Sequence, residues 1–220
     1  MINKTKTANA LSRVILTAVC LAGFAVMLVL VLSDSASVID DPIRYWFYGL
    51  RADGLDKAVV LFTHHGDWHA VVIICAVFLA VRPTRIRFGV PLAAGAAVCN
   101  LLKGLIKHLV ARPRPSDVSH LMVQHGFSFP SGHSISSMFL YALIIWLVFR
   151  YVKKPGLRIL FTILAAIPMV GIGLSRIYCG VHYPSDVFAG WFLGLAVMIV
   201  TTLIIDYVVL NLSGNSISSD

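Results

Sequence analysis

Several long apolar runs decide what this chain can become. Val14 to Leu32 passes without a single charged residue, and comparable runs recur at Phe88–Leu109, Ser134–Phe149, Leu157–Leu174 and Val187–Ile205. A helix needs about 20 apolar residues to cross a bilayer, and inside lipid every backbone polar group must be satisfied within the helix itself. Composition supports the same conclusion. Hydrophobic residues make up 58% of the 220 and charged residues only 13%, against about 25% charged in soluble domains. Disorder, a soluble globule and a disulfide scaffold are thereby excluded. The expectation is an all-α, polytopic membrane protein of six transmembrane helices, forming one domain over residues 1–220 with a polar, disordered tail at 211–220.

The first run is longer than the 7–15-residue apolar core of a signal peptide, so it is expected to be a retained span. Between it and the next run lies a polar, acidic stretch with Asp34, Asp40, Asp41, Asp53 and Asp56, in which Leu55–His65 suggests a short interfacial helix broken at Gly66. Trp68–Val81 is short for a span. It needs Arg82 to snorkel, or residues borrowed from upstream. The fifth helix carries Pro168, where a bend is expected.

Charge placement sets the orientation. Ten of the eighteen basic residues fall in three segments: Lys4, Lys6 and Arg13; Arg82, Arg85 and Arg87; and Arg150, Lys153, Lys154 and Arg158. Six crossings put all three on one side, which the positive-inside rule makes cytoplasmic, together with both termini. The net charge of +8 therefore reflects topology and does not call for nucleic acid.

Five further cations, Lys103, Lys107, Arg112, Arg114 and Arg176, crowd connections on the opposite, outer face. A charge at the centre of a bilayer costs about 2.5–3.5 kcal/mol on insertion scales, so an anionic ligand is expected there. Three segments meet at that face: Lys107 through Arg112-Pro113-Arg114-Pro115, then Pro130-Ser131-Gly132-His133, then Ser175-Arg176 through His182 to Asp186. Arginine forks and a lysine suit phosphate oxygens. Ser131 and Gly132 open a helix, whose free N–H groups favour an anion. If the last helix begins near Pro184, Asp186 reaches one nitrogen of His182, fixing its tautomer and freeing the other to attack phosphorus. His133 is then the general acid. All ten acidic residues are Asp and no cluster of them suggests a metal, so the chemistry is expected to need no metal and no cofactor.

The same segments resemble the type 2 phosphatidic acid phosphatase superfamily. Its signatures, K-x6-RP, PSGH and SR-x5-H-x3-D, match here in order and spacing at Lys107 to Arg114-Pro115, Pro130 to His133, and Ser175-Arg176 to His182 and Asp186. The resemblance covers about residues 57–205. It implies His182 as the nucleophile of a phosphohistidine, Asp186 as its partner and His133 as acid–base. Lys107, Arg114 and Arg176 become the phosphate clamp, with Ser131 and Gly132. Arg112 begins a second Arg-Pro pair, so either arginine is a candidate for the phosphate. The implied substrates are lipid phosphates: undecaprenyl pyrophosphate, phosphatidate, phosphatidylglycerophosphate or diacylglycerol pyrophosphate, in a bacterial cytoplasmic membrane. A phosphotransferase moving phosphate to another lipid such as lipid A is the alternative. An anion transporter is a remote one, since it leaves the His182–Asp186 spacing unexplained.

Other residues read more plainly. Cys20, Cys75 and Cys99 are small core hydrophobes. His64, His65, His69 and Asp67 are read as a solvated interfacial turn, and Trp46, Phe47 and Trp68 as interface anchors. Lys103 lies one turn before Lys107, outside the signature, and either lines the pocket or snorkels.

Overall fold

The computed structural model describes residues 2–215, with side chains from 10 to 209, and every regular element among them is helical. In chain order these are α1 (Ile2–Leu32), α2 (Ser37–Gly49), α3 (Asp53–Thr63), a 3₁₀ turn at His64–Gly66, α4 (Trp68–Ala80), the single-turn α5 (Arg82–Thr84), a π turn at Arg85–Gly89, α6 (Val90–Val110), α7 (Gly132–Tyr151), α8 (Pro155–Tyr178) and α9 (Pro184–Asn215). The expected tail begins at Asn211, but α9 runs on to Asn215; residues 216–220 lie outside the described residues.

Five segments are long and apolar enough to cross a membrane: Ala10–Leu32, Arg82–Val110, Gly132–Tyr151, Pro155–Tyr178 and Pro184–Val209. The expected second span is built differently. α3 with its 3₁₀ turn and α4 form a pair bent by 50° at Asp67, and counting that pair as one span brings the total to six. The 13 residues of α4 cover only about 20 Å, short of the roughly 30 Å hydrocarbon core, so a crossing here would need α3 to supply the rest. Two boundaries also move. The polar stretch after α1, in which the sequence suggests a helix only at Leu55–His65, also contains α2, whose Pro42 and paired aspartates argue against a helix while its tertiary partners hold one. The fifth helix runs past Leu174, so Ser175 and Arg176 are helical.

α7 is the central helix. It lies against α6, α8 and α9, and α1 lies along α9. Its inward residues include Ile135, Phe139, Leu140, Leu143 and Leu147, all fully buried. Two glycines let α9 approach closely: a Cβ at Gly190 would stand 2.8 Å from the Ser131 carbonyl oxygen, and one at Gly194 only 2.5 Å from that of Ile135. Small residues four apart are a common device for close helix contact in membranes. Here they bring the starts of α7 and α9 together. At the other end of the bundle, Asp206 of α9 pairs with Arg13 of α1 at 2.6 Å and Arg150 of α7 at 2.5 Å. The outward faces of α1 and α8 expose Val14, Val19, Val29, Ile159, Ile163 and Ile167, a surface suited to lipid.

Candidate active site

α9 begins at Pro184, two residues after His182, and this start sets the geometry. Asp186 sits in the first turn, where its Oδ2 accepts the Tyr183 backbone N–H at 3.0 Å and lies 3.2 Å from His182 Nδ1. Both side chains are buried. On the far side of the ring, Arg114 Nη1 lies 3.1 Å from His182 Nε2. An arginine can only donate, so Nε2 accepts and the ring proton stays on Nδ1, toward Asp186. Burial, followed by the charges of Arg114, Arg176 and Lys107, holds the His182 pKa well below its ordinary 6.5. Nε2 is thus kept as a lone pair facing the cationic cluster.

The second oxygen of Asp186 belongs to Arg112, whose Nη1 donates to it at 2.6 Å. Arg112 Nη1 also donates to Ser185 Oγ at 2.8 Å, and its Nη2 to Asp40 Oδ2 at 2.7 Å, while its guanidinium stacks on the Tyr183 ring. Asp40, from α2, further accepts from the Ser185 backbone N–H at 2.7 Å and from Ser185 Oγ at 2.9 Å. Burial raises the Asp40 carboxyl, against the pull of Arg112 and Ser185. Arg112 was a candidate phosphate ligand. The structure instead commits it to two buried carboxylates behind His182, and it is absent from the cavity wall. Of the two Arg-Pro pairs, the second supplies the arginine that faces the histidine.

His133 stands in the first turn of α7 and has its own carboxylate. Asp67, at the bend between α3 and α4, places Oδ1 2.8 Å from His133 Nε2 and Oδ2 2.7 Å from His64 Nδ1. The close approach depends on Gly66, where a Cβ would stand 2.8 Å from His133 Cδ2. In the sequence Asp67 reads as part of a solvated turn. The usable signal was that His133 also needs an orienting acceptor, and Asp67 closes the polar stretch ahead of a short apolar run.

The cations are less alike than the motif suggests. Lys107 Nζ donates to the carbonyl oxygens of Phe127 and Ser128. Arg114 donates to the carbonyls of Val181 at 2.7 Å, Gly126 at 3.0 Å and His125 at 3.1 Å, which pins the 111–131 connection over the site. Arg176 is fully buried. Its Nη1 meets Thr63 Oγ1 at 3.2 Å and Met122 Sδ at 3.0 Å, while its Nε and Nη2 have no partner among the described residues. Two orphaned guanidinium nitrogens in a buried site are expensive unless a ligand completes them. Ser131 is the N-cap of α7: its Oγ accepts from Ser134 Oγ at 2.9 Å, and it lies outside the cavity wall, whereas Gly132 lines the cavity.

A cavity of about 1030 Å³ opens beside these groups, although Arg176, like Arg112 and Ser131, is not among the residues that line it. Lys107, Arg114, His133, His182 and Asp67 line its polar end, and Val72, Cys75, Leu79, Ala93 and Ala96 continue it as an apolar groove between α4 and α6. Among the described residues no group of three His, Cys or Asp side chains is arranged to hold a metal. The arrangement sets two histidines, each beside an aspartate, and a group of cations at the head of an apolar channel.

A family model described as the PAP2 superfamily matches residues 88–209. Phosphatidylglycerophosphatase B of Bacillus subtilis is 35% identical over 97 residues, covering 44% of this chain and 47% of that protein. An undecaprenyl-diphosphatase of Sulfolobus acidocaldarius is 27% identical over 151 residues, 64% of this chain and 66% of that one. The matches thus span about half to two thirds of these relatives. The crystal structure of a transmembrane PAP2 type phosphatidylglycerolphosphate phosphatase from Bacillus subtilis is similar with a TM-score of 0.77 at 25% identity, over 87% of this chain and 96% of that one.

Proposed function

Since the chain belongs to the PAP2 superfamily, we propose that it is a multi-pass membrane lipid phosphatase working through a phosphohistidine. The observation that carries this reading is His182, with Nδ1 toward Asp186 and Nε2 toward Arg114 at the polar head of an apolar groove. The phosphoryl group enters the cradle of Lys107, Arg114, Arg176 and the N-terminus of α7 at Gly132, while the lipid chain lies in the groove. His182 Nε2 attacks phosphorus as the bond to the lipid oxygen breaks, and that oxygen takes a proton from His133. Water, deprotonated by His133, then releases phosphate from His182. Preorganised donors around the developing charge supply most of the acceleration in such reactions, and here they are side chains, so no metal is required.

The protein is read as a single unit of six spans in a cytoplasmic membrane, with both termini inside and the site at the outer face. The three basic segments support this orientation. Candidate substrates are undecaprenyl pyrophosphate, phosphatidate, phosphatidylglycerophosphate and diacylglycerol pyrophosphate.

The test is phosphate release from these lipids in detergent micelles, with His182→Ala as control. Release that vanishes in the variant supports the phosphatase. Consumption of lipid without free phosphate, recovered only with a lipid acceptor, moves the reading to a phosphotransferase.

A further inference from the structure

One wall of the cavity is a single stripe of α6: Ala93, Ala96, Ala97, Asn100, Lys103 and Lys107. Their spacing of three and four residues places them on one helix face, and the chemistry changes in order along it, from apolar through an amide to two cations. Lys107 serves the reacting phosphoryl group and the alanines line the tail groove. Lys103 and Asn100 therefore face whatever joins the two.

Lys103 is suited to a further anion. Its Nζ donates to Asn100 Oδ1 at 2.6 Å, a neutral partner, and no ion pair to it is found among the described residues. Asn100 uses its oxygen in that bond, which leaves its NH₂ to donate. The Lys103 stem crosses Gly132 so closely that a Cβ there would stand 2.6 Å from Lys103 Cδ, so the stem passes beside the N-terminus of α7. Along the axis of α6, Lys103 stands one turn, about 6 Å, before Lys107. A phosphate joined through one oxygen to the reacting phosphate stays within reach of the flexible stem.

Resting on the phosphatase reading, we propose that Lys103 and Asn100 form a second anion subsite that holds the inner phosphate of a diphosphate lipid. A monoester presents carbon at that place and gains nothing from it. In the reaction His182 takes the outer phosphoryl group, the bridging oxygen leaves with the inner phosphate and the His133 proton, and Lys103 neutralises charge on the group that departs.

The experiment compares farnesyl diphosphate with farnesyl monophosphate, which share a tail, on wild type, Lys103→Met and Lys103→Arg. The expected result is a loss of about 10- to 100-fold in kcat/KM for the diphosphate in Lys103→Met, the size of a lost bond to a charged group. The monophosphate stays within about threefold, and Lys103→Arg retains most of the diphosphate activity. A general defect in folding would lower both substrates in parallel. As a second measurement, inorganic pyrophosphate should inhibit wild type more tightly than phosphate, with that advantage lost in Lys103→Met. Equal losses on both substrates with no such pyrophosphate advantage, or no loss at all, overturn the subsite and leave the phosphatase standing. A wild type that releases phosphate from neither lipid, or release that survives His182→Ala, overturns the phosphatase reading and the subsite with it.

Discussion

Asp67 Oδ1 lies 2.8 Å from Nε2 of His133, although 66 residues separate the two in the chain. Each histidine of the site therefore has its own aspartate: Asp186, four residues from His182 in the first turn of α9, and Asp67, delivered to His133 by the break between α3 and α4. The first pair is local and the second is made by the fold.

Asp67→Asn removes the carboxylate that orients His133 and balances its charge when it carries a proton. General acids contribute about 10²–10⁴-fold, and part of that should go. The expected loss is about 10- to 100-fold in kcat with KM little changed. His64→Ala should cost far less, because Asp67 keeps its bond to His133. Steady-state kinetics on one lipid substrate checks both, and a Asp67→Asn variant of wild-type kcat would remove Asp67 from the mechanism.

The pH profile follows from the depressed pKa of His182, caused first by burial and then by Arg114, Arg176 and Lys107. A nucleophilic imidazole must be neutral, so the acid limb of kcat/KM, which reports the free enzyme, should fall below pH 6.5. Stability has the same sign. Below 6.5 the unfolded chain binds a proton on His182 that the folded one refuses, so stability declines as pH falls through that range. Melting in detergent as a function of pH, with His182→Ala showing a shallower decline, checks the linkage.

Arg112→Met would leave Asp40 and Asp186 buried without their cation. Side-chain exposure is 2% and 0% for the two carboxylates, and breaking a buried pair typically costs about 3–5 kcal/mol. A melting point lower by roughly 10 °C is expected, with kcat reduced through Asp186. An unchanged melting point with a raised KM would return Arg112 to the phosphate.

Ala96 lines the groove between α4 and α6. Ala96→Phe should obstruct a lipid chain and lower hydrolysis of long-chain substrates about 10-fold or more, the scale of overpacking penalties. A short, soluble phosphate ester should be cleaved at close to the wild-type rate. Parallel loss on both would mean that the tail lies elsewhere.

On the proposed reading Lys107, Arg114 and Arg176 meet the charge on the phosphoryl group, so activity should survive EDTA unchanged. Vanadate, which adopts the five-coordinate geometry of the transferring phosphorus, should inhibit. Loss of activity in EDTA that returns with added Mg²⁺ or Zn²⁺ would overturn the metal-free mechanism.

The apolar runs alone determined an all-helical chain, because a backbone in lipid has few other ways to satisfy its hydrogen bonds. The spacing of His182 and Asp186 determined their pairing, because four residues at a helix start bring two side chains onto one face. Tertiary structure decided the rest. The sequence alone placed Arg114 in the signature but left Arg112 beside it as a second candidate, and only folding turned one onto Asp40 and Asp186 and the other onto His182. In the polar stretch after α1 the sequence suggests a helix only at Leu55–His65, yet α2 also forms there because Asp40 finds Ser185 and Arg112, and Arg44 finds Asp117 at 2.6 Å. Asp67 read as a solvated residue because its partner, His133, comes 66 positions later. Helices and local pairs follow from forces that act over one turn of chain, whereas the partner of a buried charge is chosen by which elements pack together, and that choice is written in no single segment.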